Sequence, residues 1–546
     1  MFKQLEARFG LRMIPAVFYT SAALAILFVA IAAPFNEPVA AFFSDVAGWI
    51  STYFGWFYIL SVTGLLIFLI WVAASRYGSI RLGGDDARPE YTTLTWFTML
   101  FAAGIGTILM FWGVAEPMTR LANPPLPDVE PGSQQAATLA MSVSLYHFGL
   151  HTWTIFTLPA LAIGYFSYRH GLPMRISSIF YPVFGERING PVGWFIDIVA
   201  LLGTLFGVAV SVSLGTLQLN SGLNYLVGLP TNYLSEALII GVVTALAVVS
   251  VALGLDRGIR RLSQFNIVIA VMLMVFIWVV GPTLFITQGT VENVGNYLRD
   301  LPWLAFWTET FEDSDWQRGA TIFYWAWTIA WAPYVGIFIA RISRGRTIRQ
   351  FVTGALGAPT LFTVFWFSTF GLAALNLEFE HGVELAAKVQ EDVPVALFLF
   401  LEQYPLAILS SLAGVVIIIV FLTTSADSAA LVVDLLSRRD DQPSQVRQRV
   451  FWTLLLGGVA ATLLLGGGLD ALQNVITVLG LPFCALLVFM AVSLTRALHA
   501  DHLGYSLKDL AGGRTPRMDI MGDRPDTPDS GSEPFMEDRR EQEEDR

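Results

Sequence analysis

Between Phe323 and Tyr334 the chain reads FYWAWTIAWAPY, and Trp327 and Trp331 stand just ahead of the helix-breaking Pro333. In a helix these two tryptophans sit at i and i+4 on one face. Aromatic faces turned inward suit a quaternary ammonium or similar soft cation, at roughly 1–2 kcal/mol per desolvated contact. The same spacing also serves plain packing. A second stretch, Phe421-Leu422-Thr423-Thr424-Ser425-Ala426-Asp427-Ser428, places hydroxyls and an acid in an apolar run. Adjacent Thr424 and Ser425 offer hard oxygen ligands of the kind a sodium ion accepts, although such hydroxyls also bond back to their own helix carbonyls. A third, Ala102-Ala103-Gly104-Ile105-Gly106-Thr107, carries two glycines where a helix would otherwise continue. Unwound there, it would leave amides and carbonyls free to hold a carboxylate and a cation. Left wound, it would be a seam of small residues for close helix packing. His147 and His151 also share a face, but no acidic or cysteine ligand lies near them in sequence, and a metal centre needs three or four. No stretch holds a nucleophile–base pair, so no enzyme activity is expected.

The elements that position these groups are membrane spans. Of the 546 residues, 55% are hydrophobic and 14% charged, too little polar surface for a soluble chain of this size. The apolar runs reach roughly 20 residues, the length that crosses about 30 Å of hydrocarbon. They fall near residues 13–33, 51–74, 92–114, 136–167, 192–226 and 233–254, then 264–287, 319–340, 351–376, 405–436, 450–467 and 471–495. The first run is too long, and lacks the cleavage pattern, for a secretory signal. Loops on the amino-terminal side up to Arg449 carry 20 Lys/Arg, against four on the other (Arg120, Arg299, Arg318 and Lys388). Because positive residues resist translocation, this alternation predicts twelve spans in the cell's inner membrane with both termini cytoplasmic. Residues 1–12 are a cytoplasmic amino terminus, 13–498 the membrane domain, and 499–546 an acidic, disordered tail. Residues 290–318, mixing aromatics with acids, suit an interfacial helix. Cys484 is the only cysteine, which excludes an internal disulfide and a cysteine-based metal site. The net charge of −11 says little about partners, because 11 of the 43 acids lie in the last 36 positions, and nothing points to nucleic acid.

Five segments together resemble the betaine/carnitine/choline transporters: GIGTILMFWGVAEP (104–117), HFGLHTW (147–153), GTLFGVAVSVSLG (203–215), FYWAWTIAWAPYVGIFIARISRGRTIRQF (323–351) and TSADS (424–428). The resemblance covers roughly residues 10 to 500. It implies an all-α membrane protein of about 12 transmembrane helices: two inverted five-helix repeats (spans 3–7 and 8–12) plus two leading helices. It further implies a homotrimer working by alternating access, with no cofactor and Na+ as the coupling ion. The implied solute site is Gly104, Gly106, Ile108, Phe148, Trp153, Phe156, Trp327, Thr328 and Trp331. The implied sodium site is Ala102, Ile105, Phe421, Thr424 and Ser425, with Thr204 and Tyr334 available to a second ion.

The chain departs from the family pattern in places. Phe148 and Thr328 replace tryptophans of the aromatic box, Phe156 a tyrosine, and Ile108 the third glycine of the unwound stretch. Phe is a poorer cation–π partner than Trp, and Ile reshapes the cavity. Val208 stands where a second hydroxyl of the second ion site is expected. The sodium-independent exchangers of the family place an arginine near the ion site. Here no Lys or Arg lies between Arg187 and Arg257, so the fifth span supplies none. The expected activity is sodium symport of a small zwitterionic or quaternary-ammonium osmoprotectant (glycine betaine or a relative). The alternatives are ectoine or sulfonium solutes, proton-coupled choline-type uptake with Asp427 titrating, and a channel.

Overall fold

The computed structural model describes residues 13–104, 106–253, 256–312, 314–438 and 445–511, with only the backbone described at 101–104, 107, 256–260 and 511. The described chain is helical, with one isolated antiparallel bridge between Arg81 and Thr347. Among the described residues, ten helices are long and apolar enough to cross a membrane. Two further spans are absent from that set because each is broken in the middle. The third consists of Thr93–Gly104 and Thr107–Ala122, the fourth of Gln134–Phe148 and Leu150–Gly164. Ten unbroken helices and two broken ones give the twelve spans expected from the loop charges.

The ends form where local chemistry supplies caps. Ser133 opens the fourth span by accepting from the Ala136 amide at 3.1 Å. Thr347 and Gln350 close a reciprocal capping box at the start of the ninth span, Ile348–His381. The second helix begins at Asn36, fifteen residues before the apolar run, and extends through Ala74. Pro38 falls in its first turn, where a missing amide costs nothing. At about 1.5 Å per residue its 39 residues exceed a bilayer's thickness, so it projects beyond the hydrocarbon or tilts.

The eighth span, Phe323–Arg341, forms the centre of the bundle. It packs on the second half of the fourth (Leu150–Gly164), on the fifth (Pro191–Val227) and on the twelfth (Leu469–His502). In the most apolar windows of the eighth, ninth and fifth helices, 89%, 83% and 78% of residues are buried by protein. In the first, sixth and seventh the shares are 33%, 33% and 22%, so those helices form the lipid-facing rim. Close approach to the centre depends on glycine. A Cβ on Gly207 would lie 3.0 Å from both Ala330 Cβ and Trp331 Cδ1, so the fifth and eighth helices meet backbone to side chain there.

The break in the fourth span is equally constrained. A Cβ on Gly149 would sit 2.4 Å from the Leu145 carbonyl oxygen, too close for any real side chain. Gly149→Ala is therefore expected to destabilise the protein by about 1–3 kcal/mol through forced backbone movement. A lowered thermal transition in detergent is the check, and an unchanged transition would show that the break relaxes freely.

Both ends of the described chain lie on one face of the bundle, called here the near face. There the loop after the second span is stitched to the loop after the eighth. Leu82 N donates to Arg346 O at 2.9 Å, and Gly345 N to Leu82 O at 2.8 Å. Arg169 joins the fourth span to Asp501 at 2.7 Å and to Asp85 at 2.8 Å.

Three sequence expectations need correction. The helix in this region is Thr283–Leu304, not 290–318, and residues 305–317 carry the connection to the eighth span. Pro282 marks its start, and its polar residues begin only after an apolar first turn. The twelfth helix runs through His502, so a domain boundary at 498 cuts its last turn. Arg120 is not a loop residue but the buried end of a helix, in an i,i+4 ion pair. Residues 512–546, the expected tail, lie outside the described residues, as do 1–12.

Candidate functional site

The two broken spans and the eighth helix converge at mid-bundle. In the third span the second half-helix starts from Gly106, in extended backbone (φ −135°, ψ −164°). A Cβ there would meet nothing within 4 Å, so open space adjoins the break. Ile108 is half-buried in the first turn beyond it. Gly104 ends the first half-helix and Ala102 lies within it, while Ile105 falls outside the described residues.

Around this break the expected aromatic residues form separate ring pairs. Phe148 stacks on Phe367 at 4.8 Å and meets the edge of Tyr324 at 5.0 Å. Trp153 and Phe156 meet edge to face at 5.6 Å. Trp327 and Trp331 share a face as the spacing predicts, and that face is directed at the fifth helix. The two indoles are not equivalent. One side of Trp327 is covered by Phe323, parallel at 5.6 Å, and its N–H donates to Ser211 Oγ at 3.0 Å and Gly207 O at 3.3 Å. Trp327 is thus a fixed wall. Trp331 meets Tyr334 edge on at 5.5 Å and keeps a buried N–H with no hydrogen-bond partner among the described residues. Thr328 donates to the Tyr324 carbonyl at 2.7 Å, which leaves its methyl and its oxygen lone pairs for other contacts.

Residual exposure differs among these side chains. Trp325 is 0% exposed, whereas Trp331 and Thr328 each keep 6% and Thr424 keeps 9%. Ser425, half-buried, lies on the same stretch of the tenth helix, Ala407–Ser437. Thr424 gives its hydroxyl hydrogen to Val420 O at 2.8 Å and lies 3.2 Å from Phe421 O. Its oxygen retains lone pairs that a cation can use.

The residues expected at a second ion site, Thr204 and Tyr334, lie on the fifth and eighth helices, about one turn from where Gly207 meets Ala330 and Trp331. The Thr204 hydroxyl is buried and has no partner among the described residues, unlike Thr154, Thr157 or Thr328, which all bond back to their helices. Tyr334 meets the Trp331 ring edge on at 5.5 Å. Val208, one turn after Thr204, brings no oxygen.

Other groups went unrecognised in the sequence. Glu116 is completely buried and accepts from Arg120 Nε at 3.0 Å, from the Tyr324 hydroxyl and from His147, whose Nδ1 lies 2.8 Å away. His147 is thus a hydrogen-bonding bridge, with Thr321 Oγ1 at 3.0 Å from its other nitrogen. His151 stacks on Trp325 at 5.7 Å. The legible signal was an intramembrane Glu with Arg four residues on. Asp427 is paired with Arg449 at 2.9 Å and accepts from Ser250 Oγ at 3.2 Å.

Comparison with known proteins agrees with this architecture. Residues 16–503 match the sequence profile described as "BCCT, betaine/carnitine/choline family transporter". An ectoine/glycine betaine/proline transporter, EctP, of Corynebacterium glutamicum is 44% identical over 498 residues, covering 90% of this chain and 81% of that protein. A glycine betaine transporter of Acinetobacter baylyi is 42% identical, covering 89% and 74%. A high-affinity choline transport protein of Escherichia coli is 40% identical, covering 89% and 72%.

Proposed function

The chain belongs to the betaine/carnitine/choline transporter family and is a multi-pass membrane transporter of a small solute, not an enzyme; from that premise we propose that it imports a small zwitterionic or quaternary-ammonium solute, glycine betaine or a close relative, by sodium symport. The protein works by alternating access in the inner membrane, with the near face cytoplasmic, and assembles as a homotrimer. The carrying observation is the set of groups that the central helices leave available: the Thr424 oxygen, which keeps lone pairs, and half-buried Ser425 on the tenth helix, with the Trp331 indole on the eighth, in a bundle whose third span is broken at Gly106. Together they supply hard oxygen donors for a small cation and an aromatic face for a soft one. The unpartnered Thr204 hydroxyl supports a second sodium ligand, and Val208 limits how complete that second site is. The solutes named for the relatives, ectoine, proline, glycine betaine and choline, share small size and a positively charged nitrogen.

The test is uptake of labelled glycine betaine into proteoliposomes, first with an inward sodium gradient and then with potassium in its place. Unlabelled ectoine, choline, dimethylglycine and a sulfonium analogue serve as competitors. Sodium-dependent betaine uptake supports both ion and solute. Competition without betaine transport moves the solute, and indifference to sodium removes the ion. Trp331→Leu is expected to raise the half-saturating solute concentration by about 5- to 30-fold, the equivalent of roughly 1–2 kcal/mol of lost cation–π contact. An unaltered value would assign Trp331 to packing.

A further inference from the structure

We propose that Glu116 is a positioning residue for the solute pocket, its carboxylate holding Tyr324 and His147 so that Phe148 and Tyr324 form the pocket's roof toward the far face. A carboxylate in mid-bundle is costly unless several donors compensate it. Here the compensation comes from three separate elements. Arg120 lies one turn along the same half-helix, with Nε at 3.0 Å. His147 comes from the last turn of the fourth span before its break, and Tyr324 from the first turn of the eighth.

Each of these partners leads directly to a residue of the proposed pocket. His147 precedes Phe148 in the chain, and its carbonyl accepts from Thr152 across the break at Gly149. The Tyr324 ring meets Phe148 at 5.0 Å, and its carbonyl holds the Thr328 hydroxyl at 2.7 Å. Beside it, Phe323 covers Trp327. On the far side of the cluster lies a cavity of about 200 Å³, lined by Trp112, Thr119, Arg120, Asp315 and Trp316 among others. The Arg120 guanidinium lies 4.9 Å from the Trp316 ring centre, and both residues line that cavity. The cluster therefore touches both sides: Arg120 lines the cavity, while Tyr324 meets Phe148 of the proposed pocket.

The position of the pocket rests on the proposed function, so two measurements are needed. The first takes whichever solute the native chain binds and compares native protein with Tyr324→Phe, which deletes one hydroxyl and no charge. Half-saturating solute is expected to rise at least about fivefold, with sodium half-saturation and maximal rate per folded protein within about twofold. Glu116→Gln should do more and Glu116→Asp less, because the shorter carboxylate keeps its charge opposite Arg120. Should Glu116→Gln fail to fold, the charge-free pair Glu116→Gln with Arg120→Met replaces it. A loss of folded protein in these variants with solute half-saturation unmoved would reduce Glu116 to a structural role and overturn the proposal.

The second measurement needs no transport. Cys484, the one native cysteine, is buried and is changed to alanine. Thr328→Cys then reports access beneath the roof by its labelling rate with a small polar thiol reagent. Adding Tyr324→Phe or Glu116→Gln is expected to speed labelling at least about fivefold, and equal rates would overturn the roof. Failure of sodium or betaine in the native protein would sink the proposed function while leaving this arm intact.

Discussion

Replacing Ser425 with leucine will abolish sodium-driven uptake while leaving a folded, membrane-inserted protein. The tenth helix is mostly apolar outside the Thr423–Ser428 stretch, and Ser425 is half-buried beside Leu422 and Ala426, which are closed off. Leucine at Ser425 is compatible with a helix in an apolar setting, so the fold should survive. An ion site would not, because leucine removes one oxygen ligand and fills the space the ion needs. Thr424→Val is the milder partner experiment. It deletes the hydroxyl that lies 2.8 Å from Val420 O and keeps the shape. If that hydroxyl binds the ion, the sodium half-saturation concentration should rise by about 10- to 150-fold, the equivalent of roughly 1.5–3 kcal/mol for one contact to a charge. If it merely bonds back along its helix, uptake at saturating sodium and the sodium titration will both stay close to native. Sodium titrations of solute uptake by both variants separate these results, and unchanged sodium-driven uptake by Ser425→Leu would dispose of the ion site.

Much of the architecture was legible because membrane spans are local. Twenty apolar residues in a row announce themselves, and the Lys/Arg alternation orders them without tertiary information. The break in the third span was also local, written in Gly104 and Gly106. The break in the fourth span was less visible, because a single glycine between Phe148 and Leu150 reads as ordinary sequence. Its necessity comes from the clash a Cβ would make with Leu145 O and from the Tyr297 hydroxyl 3.2 Å away, contributed by a distant helix. The ion pair of Glu116 with Arg120 could be read from i,i+4 spacing. Its other partners could not, since His147 is 31 residues away and Tyr324 is 208. The inequality of Trp327 and Trp331 was likewise hidden. Spacing puts both on one face, but only Ser211 on the fifth helix decides which indole is already satisfied.

Asp427 shows how one long-range contact redirects a functional reading. In sequence it is an acid two residues beyond Ser425, well placed to carry a proton. In the structure Arg449, from the eleventh helix Val446–Leu465, meets it at 2.9 Å, and Ser250 from the sixth helix donates to it at 3.2 Å. A carboxylate committed to that pair exchanges a proton in each cycle only if the pair is pulled apart. Its evident work is to tie the sixth, tenth and eleventh helices together one turn beyond the proposed ion ligands. Removing one partner leaves the other charge uncompensated in a buried setting, which costs about 3–5 kcal/mol. Arg449→Met and Asp427→Ala are each expected to cut the yield of folded protein severely. Combining Arg449→Met with Asp427→Asn removes both charges while keeping volume and an acceptor for Ser250, so it should recover most of the loss. Transport by that double variant then decides between coupling schemes. Sodium-driven uptake near the native level would confine Asp427 to a structural tie beside the ion site. Recovery of folded protein without any uptake, together with a pH-gradient-driven flux in the native chain, would return the acid to the transport cycle.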